Sequence, residues 1–138
     1  MDTFAAAPLA SAHAAALWAG LHVILLLVLS VLVTRQRRRH RVEIGDGGVP
    51  ALQQAIRAFG NATEYVPTAL VGLGILALAG APPMLIHPIG LVLFLGRVLH
   101  AAGISRSPAA TWPRAAGVLA TWISYVAMAA ALLFYAIP

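Results

Sequence analysis

The sequence predicts an all-α membrane protein, a bundle of four transmembrane helices in up-down-up-down order. Three observations carry that expectation. Of the 138 residues, 61% are hydrophobic and only 9% are charged, with a mean hydropathy of +0.88. A soluble domain carries about 25% charged residues. Apolar stretches long enough to cross a bilayer recur four times, at roughly 8–34, 51–79, 84–102 and 114–137, as one membrane domain. The segments between them are short, and short connections make consecutive helices antiparallel neighbours.

The first span has an apolar core at 14–33, about the 20 residues a bilayer needs. Asp2 precedes it, and Arg35, Arg37, Arg38, Arg39 and Arg41 follow it. A secretory signal has the opposite polarity, so the segment is expected to be a retained span. The stretch 35–50 is expected to be a basic loop, closed by the turn-rich Gly45-Asp46-Gly47-Gly48. Span two ends at Gly80-Ala81-Pro82-Pro83, and its internal Pro67 removes one backbone donor, which predicts a kink near Thr63. Span three gives way to a loop at 103–113, with Gly103, Pro108 and Pro113 as breakers, before span four.

Loop charge sets the orientation. The first loop carries five arginines, and the third carries Arg106, with Arg97 and Arg114 at its flanks. The second loop is uncharged, and the N-terminal tail has no lysine or arginine. The positive-inside rule therefore places both basic loops in the cytoplasm and both termini outside. Net charge +5 comes from nine arginines against four acids. Because those arginines border spans, their simplest role is topology and contact with anionic lipid, not nucleic acid, for which no binding module is present. Cysteine is absent, which excludes disulfides and cysteine nucleophiles. The five histidines show no metal-ligand spacing, so no metal site is expected.

One polar stripe interrupts this apolar pattern. Arg57, Asn61, Glu64 and Thr68 recur at i, i+4, i+7 and i+11, which places them on one face of the second helix. Ionisable groups inside a membrane segment are costly and usually mark function. Glu64 lies roughly 10 Å along the helix from Arg57, and Arg97 lies roughly 10 Å before the end of span three, at similar depth. His100 falls one turn from Arg97 on the same face, either packed or lining the same site. Arg57, Asn61, Glu64 and Arg97 are therefore expected either to form a structural ion-pair network or to line a pocket open to the cytoplasm. Charges of both signs in such a pocket suit a zwitterionic, peptide-like ligand. Arg37 and Arg38 are candidates to reach a ligand carboxylate. Arg114, or Arg106 in its place, is a candidate donor at the pocket mouth.

The segment 57–67, read as R-A-x-G-N-x-x-E-Y-x-P, resembles the signature of the MAPEG family, membrane-associated proteins of eicosanoid and glutathione metabolism. Length, span number and the charged loop are similar as well, and 41–65 looks most like the small bacterial members. The resemblance implies a homotrimer of four-helix subunits in a bacterial inner membrane. Glutathione would be the co-substrate, bound at subunit boundaries, and a lipophilic small molecule would be the second substrate. It maps glutathione-binding positions onto Arg57, Asn61, Glu64 and Tyr65, and Arg97 resembles an arginine of the family's third span. It implies a transferase or peroxidase in which an arginine stabilises the glutathione thiolate, with Arg114 or Arg106 in that role. Catalytic members carry tyrosines late in span three, where this chain has His100 and Ile104. The family also includes a non-enzymatic lipid-binding member, so a non-catalytic lipid- or ligand-binding scaffold is the alternative.

Overall fold

The computed structural model describes residues 3–107 and 109–137, with side chains from Leu9 onward. Asp2 and Pro108, used above as a flank and a breaker, lie outside the described residues. Four helices follow in order: α1 (Thr3–His40), α2 (Pro50–Leu78), α3 (Pro83–Arg106) and α4 (Trp112–Tyr135). The all-α, four-helix expectation holds. Three of the helices, α1, α3 and α4, are long and apolar enough to cross a membrane by length and composition. The exception is α2, which carries the polar stripe and touches all three other helices. Its buried face is apolar, running along Leu52, Ala58, Ala62, Val66, Ala69 and Leu73.

α2 and α3 form the centre, with α1 against both on one side and α4 against both on the other. Among the described residues, α1 and α4 share no contact. The main core lies at the end of the bundle remote from the arginines, where Trp18, Leu73, Leu76, Ile86, Leu93 and Met128 pack together. A smaller core nearer the basic end joins Leu29, Ala58, Ala62, Ala101 and Ile104. Trp18 occupies the space that a Cβ at Gly90 would fill, and its indole Nε1 donates to His87 Nδ1 at 3.2 Å. At the α2–α3 turn, Ser11 Oγ donates to the Ala81 carbonyl at 2.7 Å.

Two loop expectations need correction. The basic segment 35–40 belongs to α1. Arginine is a good helix former, and cations suit a helix C-terminus, so nothing at Thr34 stops the helix. The connection is only 41–49. Within it Arg37 Nη1 donates to the carbonyls of Glu43 and Gly45, both at 3.0 Å, and Asp46 Oδ1 accepts from the Gly48 N–H at 3.0 Å. Gly45, Gly47 and Gly48 all have positive φ there. Likewise, Gly103 does not end α3, which runs to Arg106. A Cβ at 103 would lie 2.7 Å from the Arg114 nitrogen, so this glycine lets the start of α4 close on α3. Proline is well suited to the first turn of a helix, and Pro50, Pro83 and Pro113 all sit there. Helix α2 runs unbroken through Pro67.

The α3–α4 contact also depends on a glycine pair, Gly96 and Gly117. A Cβ on Gly117 would lie 2.5 Å from both the Gly96 carbonyl and the His100 nitrogen. Gly117→Val should therefore force the two helices apart. The expected cost is about 1–3 kcal/mol of overpacking strain, or more because backbone cannot yield. Thermal unfolding in detergent checks this: the variant should melt well below the parent, and an unchanged midpoint would mean the helices are not in contact there.

Candidate functional site

The site is organised by Arg97, which is 2% exposed on α3 in the middle of the bundle. A charge in that position must be solvated by protein, and an arginine has five N–H donors in a fixed fork. Its Nη1 donates to Asn61 Oδ1 of α2 at 2.8 Å, and its Nε donates to Thr121 Oγ1 of α4 at 2.9 Å. Nη2 approaches the Gly117 carbonyl at 3.4 Å. The face of the Tyr65 ring covers the guanidinium, 4.9 Å from its centre. Tyr125 of α4 stands edge-on to Tyr65 and donates its hydroxyl to the Tyr65 carbonyl. Among the described residues, no carboxylate lies within ion-pair range of Arg97.

The charges on α2 sit differently. Arg57 and Glu64 are 62% and 55% exposed at their side chains, and face out of the single chain. They lie 3.8 Å apart, a loose pair that contributes at most about 1 kcal/mol when solvated. Asn61 links the two halves, because its Nδ2 donates to Glu64 Oε2 at 3.4 Å while its oxygen holds Arg97. The inferred equal depth of Glu64 and Arg97 is thus met through one amide. The expected pocket lined jointly by Arg57, Glu64 and Arg97 is not: Arg97 is sealed inside, and the outer pair lies on a surface. The buried face of α2 runs along Ala58, Ala62, Val66, Ala69 and Leu73, which rotates Arg57, Glu64 and Thr68 outward.

His100 is packed. Its ring is buried, and Nδ1 donates to the Arg114 carbonyl at 2.9 Å, tying α3 to the first turn of α4. It positions Arg114 and does not line an open site. Ile104 is also buried, one turn further on. Beside them, between the start of α2, the end of α3 and the start of α4, a groove of about 180 Å³ is lined by Gln53, Gln54, Arg57, Ile104, Ser107 and Arg114. Arg57 and Arg114 thus share one opening. Arg106 is exposed and does not line it. Arg37 is engaged by the loop carbonyls, and Arg38 is exposed on α1; the structure brings neither to the group around Arg57.

Residues 15–134 match a sequence model of the MAPEG family. The chain belongs to the MAPEG family. Among curated relatives, the inner membrane protein YecN of Escherichia coli K12 is 41% identical over 120 residues, covering 87% of this chain and 90% of YecN. YecN of Escherichia coli O6:H1 strain CFT073 matches to the same extent. The family assignment agrees with the R-x-x-x-N-x-x-E-Y segment that first pointed to it.

Sequence reasoning missed the contribution of α4. Thr121 and Gly117 supply acceptors for Arg97, and Tyr125 backs Tyr65. A signal existed: Gly117, Thr121, Ser124, Met128 and Ala131 repeat at helical spacing and form the buried face of α4. Gln53, Gln54 and Ser107 carry no such pattern and became visible only as neighbours in the groove.

This division separates structural from surface arginines. Arg97→Lys keeps the charge but loses the planar fork, leaving Asn61, Thr121 and the Gly117 carbonyl short of donors. It should destabilise by about 1–3 kcal/mol. Arg57→Ala should change stability by about 0.5 kcal/mol or less, as for exposed positions. Denaturation of both variants in the same detergent tests the contrast, and equal losses would contradict it.

Proposed function

We propose that this protein is a glutathione-dependent membrane transferase or peroxidase acting on lipophilic electrophiles through an arginine-stabilised thiolate. The observation that carries the reading is the shared opening of Arg57 and Arg114, with Glu64 beside Arg57. Two guanidiniums suit the carboxylates and thiolate of a peptide-like thiol, and a carboxylate suits its ammonium group. A cation beside a thiol favours the anion and so raises the nucleophile available at neutral pH. The thiolate sulfur then attacks the electrophile, forming a carbon–sulfur bond as the leaving group departs with its electron pair. The thiol proton passes to water.

Arg114 is the better placed of the two proposed thiolate stabilisers, since it lines the groove and Arg106 does not. His100 holds the Arg114 backbone, so the guanidinium projects from an anchored first turn. Small-ligand sites commonly enclose about 300–1,000 Å³, so this groove is too small to hold such a ligand by itself. The outward-facing Arg57 and Glu64 have the same need for cover, because charged side chains in a bilayer face protein or water-filled space. Both observations support a neighbouring subunit completing each site, and the homotrimer is the assembly that the family resemblance implies. Loop charge and the relatives' description support an inner membrane location with both termini outside, so that glutathione enters from the cytoplasm and the electrophile through the lipid.

The second reading, a non-catalytic binding member, is favoured by one observation. His100 and Ile104 are both buried and contribute no hydroxyl to the groove. The two readings separate in a direct measurement. Saturable glutathione binding to detergent-solubilised protein, with thiolate absorbance in the ultraviolet at neutral pH, is the expected result; binding without thiolate would favour the non-catalytic reading. Arg57→Ala and Glu64→Gln should each abolish binding while leaving the oligomer intact. Arg114→Ala should lower turnover by about 10²-fold, the scale of losing one transition-state donor, with a smaller change in binding. Wild-type turnover in that variant would remove Arg114 from the mechanism.

A further inference from the structure

The arginine run at the end of α1 is not one undifferentiated anchor. Arg37 is occupied by the loop that follows, donating to the carbonyls of Glu43 and Gly45. Arg35 and Arg38 are exposed and, with Val31 and Thr34, line a surface groove of about 490 Å³. These four residues fall at i, i+3, i+4 and i+7, one face of the helix. The same face continues upward through Val28, Leu27 and Ile24, all exposed large hydrophobics. From Ile24 to Arg35 the apolar strip spans about 16 Å. Arg38 also lines a second groove, of about 470 Å³, with Arg37, Arg41, Val42 and Glu43.

We propose that Arg35 and Arg38 form a binding site for the phosphodiester of an anionic phospholipid, whose acyl chain lies along Val31, Val28, Leu27 and Ile24. Neither half of this surface suffices alone. The guanidinium pair matches a phosphate by charge and by bidentate geometry. The apolar strip directly above it on the same face has no use for a soluble phosphate but matches a chain joined to one. Nearby acids do not neutralise the pair. Asp46 is turned to its own loop, accepting from the Gly48 N–H; Glu43 shares the second groove with Arg38, but among the described residues neither Arg35 nor Arg38 is ion-paired. Arg39, in the same turn, lines neither groove and serves as an internal control of equal charge.

The test is lipid retention. The full chain is reconstituted in vesicles of phosphatidylethanolamine and phosphatidylglycerol, released in mild detergent, and the lipids still bound are measured by native mass spectrometry. Wild type should retain phosphatidylglycerol in preference to phosphatidylethanolamine. Arg38→Gln and Arg35→Gln should each reduce that preference about tenfold or more, the effect expected on losing a charge-assisted hydrogen bond to the phosphodiester and larger than the loss of one diffuse surface charge. Arg39→Gln should keep most of it. Equal loss in Arg39→Gln would show a diffuse charge effect and overturn the site. Absence of any preference in wild type would do so too, as would displacement of the bound lipid by millimolar inorganic phosphate.

Discussion

A guanidinium enclosed by an apolar bundle has to be solvated by the protein itself, and most of the architecture near Arg97 follows from that requirement. Removing a charge from water costs several kcal/mol unless polar partners replace the lost hydration. Here the replacements come from both flanking helices: the Asn61 amide and the Tyr65 ring from α2, and the Thr121 hydroxyl and Gly117 carbonyl from α4. One side chain thereby fixes the rotation and the axial register of two helices against a third. All of these partners are formally neutral. The charge is dispersed over dipoles and a π face instead of being cancelled by a carboxylate, which leaves Glu64 free to face elsewhere.

That freedom connects structure to function. With Arg97 satisfied internally, Arg57 and Glu64 are displayed on the outer face of α2, and Asn61 couples them to the core. A ligand or neighbouring subunit that engages this outer pair therefore meets side chains backed by a rigid network. The close approach of α3 and α4, permitted by Gly96, Gly103 and Gly117, has a parallel effect on Arg114. His100 can reach the Arg114 carbonyl only because those backbones nearly touch. Small residues at this contact thus set the geometry of the groove, as they set close packing between helices in lipid generally.

The arginine-rich end of α1 shows how residues of one type divide their work. The side chain of Arg37 closes the 41–49 connection, whereas Arg35 and Arg38 point outward beneath an apolar strip. In the sequence these residues are near neighbours of identical chemistry. Their separation of roles follows from the 100° turn between successive helical residues, once α1 is known to continue to His40. Reading 35–50 as a loop concealed this, because a loop imposes no such periodicity.

The sequence by itself determined the all-α fold class, the number of helices, the family and the presence of a polar stripe on the second helix. These rest on local quantities: composition, run length, loop charge and the spacing of Arg57, Asn61, Glu64 and Thr68. It also placed Arg97 at the depth of that stripe, since rise per residue is constant along a helix. What only the tertiary structure decided is which way each polar residue faces. A helix can rotate about its axis without any change in its own pattern, and its neighbours choose the rotation. The packing of Ala58, Ala62 and Val66 turned Arg57 and Glu64 outward, the α3–α4 glycine contact turned His100 inward, and the placement of the first turn of α4 brought Arg114, not Arg106, to the groove.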